Sequence, residues 1–385
     1  MKRLFCFFCT CCIFWTNFSF PCHAAEPAPS VSAKAYLVME AASRCVIYEG
    51  NARTELPMAS TTKIMSALLC LESGDLDTQF TVDSDAIRVE GSSMGLVEGD
   101  IVTKRALCYG MLLPSGNDAA GAAAVRIAGS YAAFADRMNA RAAEIGMEQT
   151  HFVTPSGLHD EQHYSTAYDM ALLTAEALQN EIFREICSQS SAKVCFGNPP
   201  FDRWLENSNK LLTTCEGVIG VKTGFTDEAG RCLVSACNRN GVTLICITLN
   251  DRDDWNDHAR LYDAAFSCVT PQTAELPRSI TLPVAGGTKE TVPVCAEEAV
   301  TYGAVRTASP VCRWEVEASP LLYAPIAEKS TVAELVYYCN GYEISRQPLY
   351  AAETIQYAEQ KDSKTNGFEK FLGKLRKILG MENNR

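Results

Sequence analysis

Pro57-Met58-Ala59-Ser60-Thr61-Thr62-Lys63-Ile64-Met65-Ser66-Ala67-Leu68-Leu69-Cys70-Leu71 carries a serine three residues ahead of a lysine, at the start of an apolar run. Ile64, Leu68 and Leu71 recur at the spacing of one helical face. Ser60 therefore sits at a helix start and shares a face with Lys63, their Cβ atoms roughly 5–6 Å apart. A lysine stripped of water, and so neutral, takes the proton of a serine at that distance. The helix N-terminus places partial positive charge where negative charge develops on an attacked carbonyl. Taken alone, the pair reads equally as a helix-capping serine. A second Ser-x-x-Lys, Ser190-Ser191-Ala192-Lys193, lies where residues 187–197 lack helical period, so Ser190 is read as a solvated loop residue.

Two downstream motifs complete an ordered set. Ser115-Gly116-Asn117 follows Pro114 in the break between alanine-rich segments 106–113 and 119–128, where helices on either side aim a loop into a cleft. Lys222-Thr223-Gly224 ends a run of β-type residues. Alternation sends Lys222 and Gly224 to one side and Thr223 to the other, and Gly224 lets a substrate backbone approach closely. Singly, these are a loop serine and a solvated strand lysine. In this order, the three motifs define an apparatus that forms a serine acyl intermediate. Two further matches are set aside. Gly91-Ser92-Ser93-Met94-Gly95 fits the nucleophile-elbow pattern, but residues 96–100 read as a turn-bearing loop where that elbow needs a helix. His159 and His163 have the i,i+4 spacing of a helical metal pair, yet Gly157 before them and a cap near Ser165 after them place them in a loop.

Outward from these motifs, residues 36–39 and 45–48 predict a strand pair, residues 104–150 a helix-rich region, and residues 219–222, 232–236 and 242–249 further strands. Asn238-Arg239-Asn240-Gly241 is a hairpin turn between the last two, and residues 255–266 form a helix. A break at Thr270-Pro271-Gln272 and Leu276-Pro277 leads into short strands at 280–282, 290–294, 312–316 and 334–338, a small β domain in which Pro283 and Pro293 mark edge strands. With 385 residues, two domains are expected, and 47% hydrophobic with 21% charged residues describe a globular chain. A net charge of −12 argues against nucleic acid as a partner.

The termini differ from this body. Lys2 and Arg3 precede an apolar stretch over residues 4–20, and Cys22-His23-Ala24-Ala25 offers a cleavage site, so residues 1–25 read as a signal peptide, with an uncleaved anchor as the alternative. Removing that segment takes Cys6, Cys9, Cys11, Cys12 and Cys22 from the 18 cysteines and leaves an odd number. Their scatter through apolar runs predicts mostly free buried thiols. Near the C-terminus, Phe368, Phe371, Leu372, Leu375, Ile378 and Leu379 line one helical face and Lys370, Lys374, Arg376 and Lys377 the other. Residues 365–385 thus read as an amphipathic helix lying in a membrane interface, with packing on its own protein as the alternative.

With the motifs placed, the chain resembles the low-molecular-mass penicillin-binding proteins, the serine D-alanyl-D-alanine carboxypeptidases. The likeness extends to Gly91-Ser92-Ser93-Met94-Gly95-Leu96, Leu113-Pro114-Ser115-Gly116-Asn117-Asp118, Tyr164-Ser165-Thr166-Ala167-Tyr168-Asp169 and Gly220-Val221-Lys222-Thr223-Gly224-Phe225-Thr226. It implies an α+β fold: a β-lactamase/transpeptidase-like catalytic domain over residues 31–270, with a five-stranded antiparallel sheet flanked by helices and a helical subdomain. A small β-rich domain over 277–358 and an amphipathic anchor over 365–385 would follow. It also implies catalytic roles for Ser60 as nucleophile, Lys63 as its base and Ser115 as proton relay. Asn117, Lys222, Thr223 and Gly224 would bind substrate, with the Ser60 and Phe225 backbone amides as oxyanion hole. The substrate would be a peptidoglycan stem peptide ending in D-Ala-D-Ala, and β-lactams would inhibit; no metal or cofactor is expected. Phe225 departs from relatives with histidine there, and no Glu-x-x-Leu-Asn supplies a deacylating base, Leu205-Glu206-Asn207-Ser208-Asn209 not matching. The alternatives are a β-lactamase and a catalytically silent wall-binding protein.

Overall fold

The computed structural model describes residues 27–274, 280–296, 299–306 and 310–358, together with Lys374. The expected signal peptide, and the expected terminal helix apart from Lys374, lie outside the described residues.

Strands Ala35–Glu40 and Val46–Gly50 pair as a hairpin, and Ala35–Glu40 also pairs with Val242–Leu249 from the far end of the domain. Gly230–Arg239 and Val218–Thr226 continue the sheet, giving five antiparallel strands. The turn Asn240-Gly241 has φ of 54° and 80°, the double left-handed geometry that two-residue hairpins favour and that Asn-Gly supplies at little cost. Side-chain alternation splits the first strand between two cores. Leu37 and Met39 join the large cluster under the helical layer, while Val38 packs with Leu244, Cys246, Leu261 and Tyr262 beneath helix Asp254–Ser267. Both faces of the sheet are thus covered.

Helix Lys63–Glu72 is buried nearly all round, with Ile64, Met65 and Ala67 at 0% exposure, so it runs through the domain centre rather than over its surface. Around it lie Lys104–Leu112, Asn117–Ala128, Tyr131–Ile145 and Ala167–Ala177. Their N-caps follow from sequence: Thr103, Ser130 and Thr166 each accept a bond from an amide three residues on. Ser60 lies just before the central helix, in a short 3₁₀ turn over Ala59–Thr62. The second Ser-x-x-Lys falls at the start of strand Ser191–Gly197, where Lys193 is exposed and pairs with Asp202 at 2.6 Å.

The C-terminal β region corrects two expectations. Thr270-Pro271-Gln272 is no break but part of strand Val269–Thr273, which pairs with Thr301–Val305. Pro283 and Pro293 lie in interior strands of a six-stranded sheet, whose edges are Cys312–Ala318 and Leu322–Tyr323. Each strand is bonded on its second side through two residues only, Val284 and Ala285 or Val294 and Cys295, so neither proline must supply the missing N–H there. The β region touches the catalytic domain through Gly303, whose amide donates to the buried Glu40 carboxylate, and through Asn340, whose Nδ2 donates to the Ser43 carbonyl at 2.9 Å.

Candidate active site

Ala59 precedes Ser60 in the left-handed region with φ of 49°, a cost for an alanine that its surroundings offset. Its carbonyl accepts a bond from Thr62 Oγ1 at 2.8 Å, and Thr62 Oγ1 in turn meets His163 Nε2 at 2.8 Å. His163 Nδ1 accepts from the Val153 amide at 2.9 Å, so the neutral ring carries its proton on Nε2 and donates it to Thr62. Burial pushes this imidazole down to about 4. Gly157 lies against the same turn: a Cβ there would stand 1.9 Å from the Ala59 carbonyl oxygen. His163 lies in a loop, as expected, and at 3% exposure it supports the nucleophile's turn. Nothing in its sequence neighbourhood signals this, because the contact spans about a hundred residues.

Lys63 opens the central helix at 0% exposure. Its Nζ lies 2.9 Å from Ser60 Oγ, 2.7 Å from Asn117 Oδ1 and 2.7 Å from the Ser156 carbonyl. Desolvation, reinforced by the nearby Lys222 charge and opposed by Asp118, holds its pKa well below the ordinary lysine value. As an amine, it keeps two donors for the Asn117 and Ser156 oxygens and turns its lone pair to the Ser60 hydroxyl.

Ser115, 7% exposed with φ of 67°, lies in the break before helix Asn117–Ala128, and Asn117 is that helix's first residue. Asn117 is fixed on both sides, its Nδ2 donating to the Glu90 carbonyl at 2.6 Å and its amide to the Ser92 carbonyl at 2.7 Å. The neighbouring Asp118 carboxylate receives the amides of Met94, Gly95 and Leu96 and the Ser93 hydroxyl. The segment that mimics a nucleophile elbow is thus a strap bound to Asp118. Sequence reasoning missed this role, although an aspartate directly after the second motif was the available signal.

On the opposite wall, strand Val218–Thr226 presents the third motif. Lys222 is 1% exposed, desolvation pushes it down to about 7, and its Nζ donates to the Thr223 carbonyl at 2.9 Å. Thr223 Oγ1 bonds Ser208 Oγ at 2.7 Å, which brings in a serine that the sequence reading passed over within a non-matching motif. At Gly224 a Cβ would sit 3.0 Å from the Met58 carbonyl and 3.1 Å from the Ser60 and Thr61 amides. Its lack of a side chain lets the strand close on the nucleophile's turn. Phe225 is 63% exposed at the rim. Ser60, Ser115, Ser208, Thr223, Gly224 and Phe225 line one cleft of about 310 Å³. Larger clefts of about 770 and 610 Å³ lie at the junction with the β region, and none of the motif residues lines them.

A cleft-lining serine beside a buried lysine, with a fixed asparagine and a lysine-bearing strand, defines a serine acyl-transfer enzyme. Comparison with known families matches residues 22–253 to D-alanyl-D-alanine carboxypeptidase (peptidase S11) and residues 279–357 to the penicillin-binding protein 5 C-terminal domain. The chain is 32% identical over 357 residues to the D-alanyl-D-alanine carboxypeptidase DacC of Escherichia coli, covering 88% of each. It is 33% identical over 243 residues to DacF of Bacillus subtilis, covering 61% of this chain and 62% of that one. The crystal structure of the D-alanyl-D-alanine carboxypeptidase DacD from Francisella tularensis superposes with a TM-score of 0.61 at 26% identity, covering 86% of this chain and 95% of that one. The chain belongs to the peptidase S11 D-alanyl-D-alanine carboxypeptidase family.

Proposed function

We propose that this protein removes the terminal D-alanine from peptidoglycan stem peptides through an acyl-enzyme on Ser60. The observation that carries the reading is the desolvated Lys63 Nζ at 2.9 Å from Ser60 Oγ. Lys63 takes the hydroxyl proton as Oγ attacks the carbonyl of the penultimate D-alanine. The Ser60 and Phe225 amides receive the developing oxyanion. Ser115 passes a proton to the departing amine, Asn117 keeps Lys63 and the substrate amide aligned, and Lys222 with Thr223 attracts the terminal carboxylate. Ser208, bonded to Thr223, joins that carboxylate end. Water then releases the shortened peptide and frees Ser60. The same chemistry opens a β-lactam ring. Among the cleft-lining residues the one carboxylate, Asp254, is held by Arg231 at 2.5 Å, which favours a long-lived penicilloyl adduct over β-lactamase turnover.

The test is release of D-alanine from a diacyl-Lys-D-Ala-D-Ala peptide, with a labelled penicillin adduct that survives denaturation. Ser60→Ala is expected to abolish both. An adduct that persists in Ser60→Ala, or a native protein that neither releases D-alanine nor takes the label, refutes the mechanism; the latter result favours the silent wall-binding alternative.

The two lysines predict a pH profile. In the free enzyme kcat/KM rises as Lys63 loses its proton and falls above about pH 7 as Lys222 loses its charge. Arginine stays protonated far above that range, so Lys222→Arg is expected to move the alkaline limb upward by more than about one pH unit. An unmoved limb removes Lys222 from carboxylate binding.

We further propose export through residues 1–25 and attachment to the outer face of the membrane through the basic, apolar-striped residues 365–385. Deleting 365–385 is expected to abolish sedimentation with anionic liposomes; equal binding without them defeats the anchor. Removing the donor D-Ala-D-Ala bond would limit cross-linking, which makes the enzyme a regulator of wall architecture.

A further inference from the structure

Cys312 and Cys339 occupy directly opposed positions on the antiparallel strands Cys312–Ala318 and Thr331–Cys339. The adjacent ladder bond runs from the Asn340 amide to the Val311 carbonyl at 2.8 Å, so the cysteines form the pair type that carries no bonds of its own. In such pairs the Cα atoms lie about 4.5 Å apart and the side chains are drawn together. That separation falls within the roughly 4.4–6.8 Å window that a disulfide spans without backbone movement. The two sulfurs are 2.9 Å apart. Cys70 and Cys108 also neighbour each other, but both are buried, whereas the Cys187 sulfur donates to the Ile219 carbonyl.

The pair is also reachable. Cys339 is 0% exposed, whereas Cys312 is half-buried on an edge strand. Immediately after Cys339, the Asn340-Gly341 turn docks on the catalytic domain, Asn340 Nδ2 donating to the Ser43 carbonyl and to Cys45 Sγ at 3.3 Å. A bond at this place would pin the edge strand to the hairpin that makes that contact.

We infer that Cys312 and Cys339 are a modification site, a cross-strand disulfide formed on the folded protein by a disulfide-bearing oxidant, either oxidised glutathione or an oxidised thiol oxidoreductase. The Cys312 thiolate attacks one sulfur of the oxidant, forming a mixed disulfide and expelling one thiolate. Cys339 then loses its proton and attacks Cys312 Sγ, expelling the second thiolate. Two protein thiols are oxidised, the oxidant's disulfide is reduced to two thiols, and two protons pass to them or to solvent. Burial and the Cys312 neighbour raise the Cys339 pKa; forming the mixed disulfide removes the Cys312 thiol's share of that effect. The inference is independent of the proposed activity.

Folded full-length protein is incubated with oxidised glutathione, blocked with N-ethylmaleimide and digested with trypsin without reductant. Cys312 and Cys339 fall in separate peptides, residues 307–313 and 330–346, each with a single cysteine. The expected product is their cross-link, two hydrogens lighter than the sum and lost on dithiothreitol treatment. Oxidation is also expected to raise the unfolding midpoint of the β region by roughly 10 °C, an increase reversed by dithiothreitol and absent from Cys312→Ser. Maleimide on both cysteines after native oxidation overturns the inference. So does a Cys45–Cys339 link, or a 312–339 link that appears only after denaturation.

Discussion

Lys63→Met is expected to lower the rate of penicillin acylation by about 10³-fold, within the range of about 10²–10⁴ that a positioned general base supplies. Methionine fills much the same volume but cannot accept the Ser60 proton. The substitution also leaves the Asn117 and Ser156 oxygens without their 2.7 Å donor, at about 1–3 kcal/mol for each orphaned group. Stability must therefore be measured beside rate, by a cooperative thermal transition. Lys63→Arg separates the effects further, since arginine keeps donors but stays charged and cannot act as a base near neutrality. Stopped-flow acylation of both variants checks the result. If either acylates within tenfold of the native protein, the proton goes elsewhere, with Ser115 the next group to examine.

Gly157→Ala is expected to destabilise the protein by about 3 kcal/mol or more and to slow acylation in the molecules that remain folded. Two effects combine there. Its φ of 84° disfavours a side chain, and the added Cβ would lie 1.9 Å from the Ala59 carbonyl oxygen and 2.7 Å from Thr62 Oγ1. Both atoms belong to the turn that sets Ser60, and they are backbone or tightly bonded, so they cannot swing aside. Gly146 supplies the control, for its φ is 88° yet nothing lies within 4 Å of its Cβ position. Gly146→Ala therefore reports backbone strain alone, and the excess in Gly157→Ala measures the contact. Equal unfolding midpoints and equal acylation rates in the two variants would show that the Ala59 turn tolerates displacement.

Much of the catalytic domain was legible because its signals are local. Helical period and a helix start selected Ser60 and Lys63 over Ser190 and Lys193, and the structure puts the second lysine in an exposed ion pair on a strand. The Asn-Gly turn and the alternation of the flanking strands announced the hairpin at residues 240 and 241. The β region was less legible, since proline rules assume that a strand is bonded along both sides over its whole length. Here Pro283 and Pro293 lie in interior strands whose second ladder is only two residues long. That length depends on how distant strands overlap, which no local pattern carries.

The supporting residues divide in the same way. The sequence by itself determined which side chains can do chemistry: the serine and lysine of the first motif, the serine and asparagine of the second, and the lysine and threonine of the third. Residue type and short spacing are intrinsic to the chain. Only the tertiary structure decided that Lys63 is dry, that Gly224 faces the Ser60 amide, and that His163, Gly157, Asp118 and Ser208 hold the site in place. Desolvation and close approach are properties of what surrounds a residue, and those surroundings come from segments up to about 160 positions away along the chain. The reactivity of Ser60 rests on both, because its lysine becomes a base only where the fold has removed the water.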